Sequence, residues 1–419
     1  MDQETQSIER VIGFDCHPDS FTAAIVRGPT PAAALVEKIY NKVPLAQLPR
    51  WAQKHTTSQD LFVLEASGNS FDVVRSLEAI QRRARVVESC QMGKLKEAHA
   101  NNDKLSAVRI GKAYLAGTTK QVWVPDAKTQ GWRDWLHAYR KATKHSTQAR
   151  NSLLSYLSDN GVRLQSGTDL TGGPKAEETL RAARAWTPRQ WQVIEVLRLQ
   201  LRHAEEQRDS WHRLIAQEVL TEPELVSIVR LCGVREITAF ALGAFIGDIK
   251  RFANPKKLVK YVGLNPAFDD SGEEEWHGGI GGHGNKYLRC LLIEGAQAIL
   301  RCSKTPLARW GRKLLARKGQ INLVVAAIAR KLVVAVWHLM MGRWTPVVEI
   351  EAPLEIKINK IIGQVGAEHL AQSGKTRKQW RQEIYQRLKT GKVYHLDPNR
   401  KWPPPAAPQP DGCAVAATV

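Results

Sequence analysis

The apolar run over residues 11–15, Val-Ile-Gly-Phe-Asp, constrains this chain more than any other stretch. It is short enough for one buried strand, ends on a carboxylate, and is followed by a polar turn and a second apolar run over residues 21–26. An acid at the tip of a buried strand sits on a rigid element and cannot relax away from a cation. A site that holds Mg²⁺ through carboxylate oxygens needs that condition. One such Asp also serves as an ordinary turn or capping residue, so Asp15 gains meaning only if other carboxylates converge on it.

The pattern that follows supplies two. Residues 11–16 and 21–26 read as a hairpin and 35–41 as a third strand. Residues 44–55 read as a helix, and 61–66 as a continuous apolar strand ending in Glu65-Ala66-Ser67-Gly68. Residues 71–83 have helical spacing, with Val73, Val74, Leu77 and Ile80 on one face. A short strand over 85–87 and a long helix over 92–115 complete the region. A three-stranded meander followed by alternating helices and strands is the order of an α/β, ribonuclease-H-like fold. In that order Asp15 ends the first strand, Glu65 ends the fourth, and Asp103 lies in the last helix. Strand ends on one sheet edge plus a packed helix can gather distant carboxylates around the paired cations of phosphoryl transfer. Taken singly, Glu65 also suits a helix cap and Asp103 a solvated helical face.

Charge narrows the class of partner. Lys and Arg outnumber Asp and Glu by 61 to 41, a formal net charge of +20 over 419 residues. A folded chain this basic is most simply a partner for polyanions, nucleic acid before an acidic membrane surface. Its length calls for two or three domains. The longest apolar run, residues 321–341, is broken by Arg330 and Lys331 and carries His338, so it reads as a buried or amphipathic helix rather than a membrane span. The six cysteines form no CxxC pair, which argues against a zinc ribbon or disulfide scaffold. With no Lys/Arg-led apolar segment at residues 1–10, the expected setting is a reducing cytoplasm.

The rest of the chain reads as helical. Residues 129–161 carry an apolar stripe that includes Trp132, Trp135, Leu136 and Leu153. A Gly-rich break precedes a charged helical stretch over 176–220, whose Val193, Val196, Leu197, Leu201 and Leu214 approximate a seam that suits a helical hairpin or coiled coil, hence a dimer element, or a helix packed on its own domain. From residue 222 a mainly α domain begins, in which 226–239 resembles a helix-hairpin-helix turn. Such a turn presents backbone N–H groups to a DNA phosphate, although Arg235 stands where a second hairpin glycine is expected. Arg251, Lys256, Lys257 and Lys260 add positive charge. A Gly-rich stretch over 278–284 leads to Asn285, a candidate N-cap for a helix whose start, with Lys286 and Arg289, favours a phosphate. Ser271 precedes that stretch and by itself is a loop residue. Beyond residue 348 lie a basic helix near 377–389 and a Pro-rich end expected to be disordered. The expected division is therefore 1–127, 128–221, 222–348 and 349–419.

Over residues 10 to about 345 the chain resembles the IS110/IS1111-type transposases, relatives of the Piv DNA invertases. The resemblance rests on Gly13-Phe14-Asp15, Glu65-Ala66-Ser67-Gly68 and Asp103-Lys104-Leu105-Ser106-Ala107 in the first part. In the second it rests on Leu231-Cys232-Gly233-Val234, Tyr261-Val-Gly-Leu-Asn-Pro266, Ser271-Gly272 and Gly284-Asn285-Lys286-Tyr287-Leu288-Arg289. It implies a RuvC-like domain that binds Mg²⁺ through four acids, and a second domain that contributes a nucleophilic serine. Carried onto this chain, the acids are Asp15, Glu65 and Asp103, and the serine is Ser271. The fourth acid falls at position 106, where this chain has Ser106, a neutral and poor Mg²⁺ ligand. Asp19 is a conceivable substitute. The resemblance further implies donor and target DNA, a structured guide RNA, and a homo-oligomer, dimer or tetramer, whose acidic and serine domains come from different protomers. Two other readings remain: a RuvC-like structure-specific nuclease using the acids and water, and a decayed, non-catalytic nucleic-acid-binding copy.

Overall fold

The computed structural model describes residues 10–28, 30–89, 102–165, 167–271, 274–343 and 351–390. The chain forms two compact units, Met1–Asp126 and Ala127–Val419.

In the first unit the apolar runs become strands. β1 (Arg10–Cys16), β2 (Ser20–Arg27), β3 (Leu35–Pro44), β4 (Leu61–Glu65), β5 (Arg83–Val87) and β6 (Gln121–Val122) form one sheet in the order β3-β2-β1-β4-β5-β6. β1 pairs antiparallel with β2 and parallel with β4, with Phe14 opposite Ala23 of β2 and Leu64 of β4. β4 and β5 are parallel, while β5 and β6 are antiparallel, so the sheet is mixed. β1 and β4 sit at its centre, covered on both faces, and both therefore read as unbroken apolar runs.

Strand alternation divides their side chains between two cores. Ile12, Phe14, Phe62 and Leu64 pack with Trp51 of α1 (Leu48–His55) and with Val73, Val74 and Leu77 of α2 (Ser70–Ala79). Val11, Leu61 and Val63 pack on the opposite face with Ile110 and Ala113 of α3 (Asp103–Leu115). By the same alternation Asp15 and Glu65 fall on the α3 face. The helix expected to begin at residue 92 is described from Asp103 onward, and residues 90–101 lie outside the described set. β6 has no counterpart in the sequence reading; at two residues it is too short to show a period.

Among its described residues the second unit is helical apart from one hairpin. α4 (Ala127–Asp159) and α6 (Pro188–Thr221) pack side by side, with α5 (Gly173–Ala183) between them in sequence. The helical stretch expected over 176–220 comprises two helices, α5 and α6. Thr187 accepts from the Gln190 backbone, and the Gln190 side chain accepts from the Thr187 backbone, a capping box that starts α6 with Pro188 in its first turn. The buried seam of α6 includes Trp191, Ile194, Leu201 and Ala204, whereas Val193, Val196 and Leu199 face outward.

Beyond it, α7 (Pro223–Val229), α8 (Glu236–Ile246), α9 (Pro255–Val262), α10 (Lys286–Cys302), α11 (Pro306–Lys318) and α12 (Ile321–Met340) share one core with α13 (Glu351–Val365), α14 (Ala367–Gln372) and α15 (Arg377–Thr390). α12 is long and apolar enough to cross a membrane by length and composition. Its Val324, Ile328, Leu332 and Val336 are fully buried in that core, and Trp337 Nε1 donates to the Phe252 carbonyl at 2.9 Å. The helix thus behaves as the core helix the sequence reading expected.

Candidate metal centre and serine hairpin

Gly13 decides how closely α3 can lie on the sheet. A Cβ at Gly13 would collide with the Ala107 carbonyl and crowd the Gly111 nitrogen, so only glycine lets helix backbone rest on strand backbone there. From this crossing, two residues along β1 lead to Asp15 and one helical turn back along α3 leads to Asp103. The close approach therefore fixes the separation of the two acids. Asn102 caps the helix, accepting from the Leu105 N–H at 2.9 Å, and so holds Asp103 in the first turn.

The structure adds a residue to this pair. Ligand atoms of Asp15, His17 and Asp103 all lie within 4.8 Å of one another, and His17 Nε2 stands 3.5 Å from Asp103 Oδ1. Backbone bonds on both sides hold His17 in place. Its N–H donates to the Ser20 carbonyl at 2.9 Å, and its carbonyl accepts from Asn69 Nδ2, also at 2.9 Å. Asn69 Oδ1 accepts in turn from the Cys16 thiol at 3.2 Å. Burial pushes that thiol up to about 11, with the Asn69 bond pulling against it and the Asp15 charge adding to it. Cys16 is thus a protonated donor that helps orient Asn69.

Glu65 ends β4 on the same face, one residue beyond the Leu64 that pairs with Phe14, and is outside the 4.8 Å cluster. Ser106 is half-buried on α3, one turn along from Asp103. Asp19 is exposed in the β1–β2 turn and does not join the cluster. His17 was missed in the sequence reading, where it passed as a turn residue. Its only sequence signal is that it lies two positions after Asp15, in the turn beyond the strand tip.

In the second unit, β7 (Pro266–Ser271) and β8 (Glu274–Ile280) form an antiparallel hairpin whose last register pair is Ser271 opposite Glu274. Ser271 is therefore at the tip. The base of the hairpin is pinned backbone to backbone. The Asn285 N–H donates to the Tyr261 carbonyl at 2.9 Å, and Gly263 lies against both Gly284 and the His283 carbonyl, where a side chain on either glycine would collide. Both glycines have positive φ, 81° and 90°. Asn285 caps α10, accepting from the Tyr287 and Leu288 N–H groups at 3.1 Å.

The basic residues divide by where their donors point. Arg289 Nη1 donates to the Gly263 and His283 carbonyls at 3.1 and 2.8 Å and so braces the same junction. Arg251 donates to the Ile246 and Phe245 carbonyls at 2.9 and 3.0 Å, closing the end of α8, and its guanidinium lies over Phe252 and Tyr261. Lys256, Lys257 and Lys286 are exposed at the starts of α9 and α10. In the 226–239 segment, α7 and α8 flank a turn whose Gly233 backs onto Gly295. The start of α8 already holds an anion. Buried Glu236 accepts from His212 Nε2 at 3.0 Å and pairs with Arg235 at 2.9 Å. Burial works to raise its pKa, but these partners and its own backbone N–H leave it below its ordinary value.

Residues 227–310, which include the Ser271 hairpin, match the family model described as Transposase IS116/IS110/IS902 family. The chain is 26% identical over 247 residues to the transposase for insertion sequence element IS1111A of Coxiella burnetii, covering 58% of this chain and 68% of that protein. It is 25% identical over 284 residues to a probable family 20 transposase of Pseudomonas aeruginosa, covering 67% and 83%. It is 24% identical over 240 residues to the transposase for insertion sequence element IS1328 of Yersinia enterocolitica, covering 56% and 70%. These matches make the chain similar to transposases, enzymes of DNA transposition. Within that class the similarity is to the IS110 family and its IS1111 and IS1328 relatives.

Proposed function

We propose that this transposase cuts and rejoins DNA through a covalent link to Ser271, with Asp15, Glu65 and Asp103 holding Mg²⁺ or a related divalent cation in a RuvC-like first unit. The observation that carries the reading is the convergence of Asp15 and Asp103 on one point, in a chain whose matched transposase segment spans Ser271. The donor set suits a cation. Ligands of one ion held at ~2.1 Å stand about 3 Å apart when adjacent and about 4.2 Å when opposite, and the clustered atoms lie within 4.8 Å. A bound divalent cation would supply charge neutralisation at the phosphodiester.

The chain's own residues account for the rest. The Ser271 hydroxyl gives up its proton, its oxygen bonds to phosphorus, and the phosphorus–oxygen bond to the departing strand breaks, leaving that strand as a protonated hydroxyl. Attack by a hydroxyl of a second strand reverses the exchange and returns Ser271. One phosphodiester replaces another at each step, so no nucleotide cofactor is consumed. Lys256, Lys257 and Lys286 are placed to meet donor and target DNA backbone. The turn before α8 is not assigned this role, because the Glu236 carboxylate already fills the helix start. Arg251 and Arg289 act by holding the frame under the hairpin.

In this reading residues 1–127 carry the metal, 128–221 the helical pair, 222–348 the serine and 349–419 a basic extension. Outward-facing Val193, Val196 and Leu199 on α6 suit packing against a second copy, hence a homo-oligomer. The charge of +20 suits a complex containing structured guide RNA as well as DNA, assembled in the cytoplasm. The test is a cleavage assay on element-end DNA. Ser271→Ala should abolish the covalent protein–DNA adduct and Asp15→Ala should abolish cleavage; full excision by Ser271→Ala sinks the proposal.

A further inference from the structure

We propose that His17 is a metal ligand, supplying the donor that Ser106 does not, and that its nitrogen shifts the site's preference from Mg²⁺ toward Mn²⁺ or Co²⁺. The inference rests on the metal reading of Asp15 and Asp103 given above. It starts from the cluster itself, in which one imidazole nitrogen lies within 4.8 Å of oxygens from both acids. The imidazole meets Asp103 at 3.5 Å, close to where a shared ion would draw both groups.

Three features set the ring there. The turn bond from His17 N–H to Ser20 and the Asn69 bond to the His17 carbonyl fix its backbone on both sides. Asn69 is anchored through the Cys16 thiol. Gly13 lets α3 descend far enough for Asp103 to reach the ring. A histidine held at two backbone points and aimed at a carboxylate loses little freedom on binding a cation, as a preorganised ligand should.

The chemistry separates this site from an all-carboxylate one. Mg²⁺ is a hard cation that takes oxygen ligands and keeps its waters, and imidazole gains it little. Mn²⁺ and Co²⁺ accept imidazole nitrogen beside carboxylate oxygen, and Co²⁺ binds such mixed sites more tightly than Mn²⁺. Replacing a fourth carboxylate by a neutral imidazole also lowers the negative charge of the site by one. That change favours a cation that gains more from each bond over one held mainly by charge.

The test uses the full-length protein and the metals alone, titrated calorimetrically with Mg²⁺, Mn²⁺ and Co²⁺, together with electron spin-echo spectroscopy of the Mn²⁺ complex. Mn²⁺ should bind more tightly than Mg²⁺ and show modulation from a coordinated nitrogen. His17→Ala should remove that modulation and weaken Mn²⁺ and Co²⁺ on the order of tenfold or more, with a much smaller effect on Mg²⁺. His17 is exposed, so its replacement leaves the sheet core untouched, and circular dichroism checks this. An unchanged Mn²⁺ affinity in His17→Ala, with Asp15→Asn abolishing binding, overturns the ligand role while keeping the acidic site. Metal binding that survives Asp15→Asn overturns both.

Discussion

Gly13 and Ala107 meet backbone to backbone, the carbonyl of Ala107 filling the space where any Cβ on residue 13 would stand. This contact links the fold of the first unit to its site, because Asp15 and Asp103 are both measured from it. Gly13→Ala should force α3 off β1, costing about 1–3 kcal/mol through overpacking. The same displacement moves Asp103 from Asp15 and His17. Thermal denaturation should show a melting point lowered by several degrees, and calorimetry a weaker divalent-metal affinity. Loss of stability with unchanged metal affinity would separate the two roles and show that the crossing does not set the site.

Ser106 lies one turn from Asp103 on the same helix, and in the proposed metal site position 106 is where the resemblance implies a fourth acid. Ser106→Asp should add a carboxylate to the site, tightening Mg²⁺ more than Mn²⁺, since the added ligand is a hard oxygen. Competition titrations of the two metals read the ratio directly. No tightening of either metal would place residue 106 outside the ligand sphere.

Gly284 holds the base of the serine hairpin at positive φ, pressed on Gly263 and close to the Tyr261 carbonyl. Gly284→Ala combines strain at that backbone conformation with a collision, a cost of about 1–3 kcal/mol. The hairpin tip carries Ser271, so adduct formation should fall steeply while divalent-metal binding to the first unit stays at the parent value. A variant that forms adduct at the parent rate would show that the junction does not position the tip.

What could be read beforehand follows from how far each feature reaches along the chain. β1 and β4 were legible because burial on both faces makes their apolar runs continuous, and Asp15 and Glu65 because each closes such a run. The approach of α3 depends on a contact between residues 13 and 107, and a glycine inside a strand was the only local hint of it. His17 needs the Ser20 and Asn69 bonds before it points anywhere, and Asn69 is 52 residues away. Arg251 and Arg289 looked like phosphate partners because they are cations inside motifs. Sequence counts charges but does not show where donors go: Arg251 Nε and Nη2 and Arg289 Nη1 donate to carbonyls. The break before α6 was readable: Thr187, Pro188 and Gln190 spell a helix start that the surrounding charge pattern hid.

Buried Glu236 gives the second unit an acid-sensitive point. Its partners His212 and Arg235 hold its folded pKa below the ordinary 4.5, so its contribution is present above that value and is lost as pH falls through the folded one. Glu236→Gln should therefore destabilise the protein by about 1–3 kcal/mol near neutrality. The gap in melting point between parent and variant should narrow as the buffer is taken from pH 6 to below pH 4. A gap independent of pH would mean that the carboxylate's shape, not its charge, matters to α8.

Lys357 offers a test at the other end of the pH range. Its ammonium donates to the Val229, Leu231 and Val234 carbonyls at 3.1, 2.7 and 3.0 Å, tying α13 to the turn between α7 and α8. Burial is the main cause that lowers its pKa from 10.5 to about 8. Between those values the unfolded chain binds the proton that the folded protein has released, so this group's contribution rises with pH through that window and falls as pH drops toward 8. Lys357→Met removes the titration and leaves three carbonyls without their donor, a loss of about 1–3 kcal/mol. Melting points of parent and variant compared from pH 7 to pH 9.5 should show the parent's advantage growing with pH. The difference between the two proteins cancels the titration of the cysteines and tyrosines they share. An advantage that stays constant or shrinks would show that the three carbonyls hold the ammonium charged throughout the range.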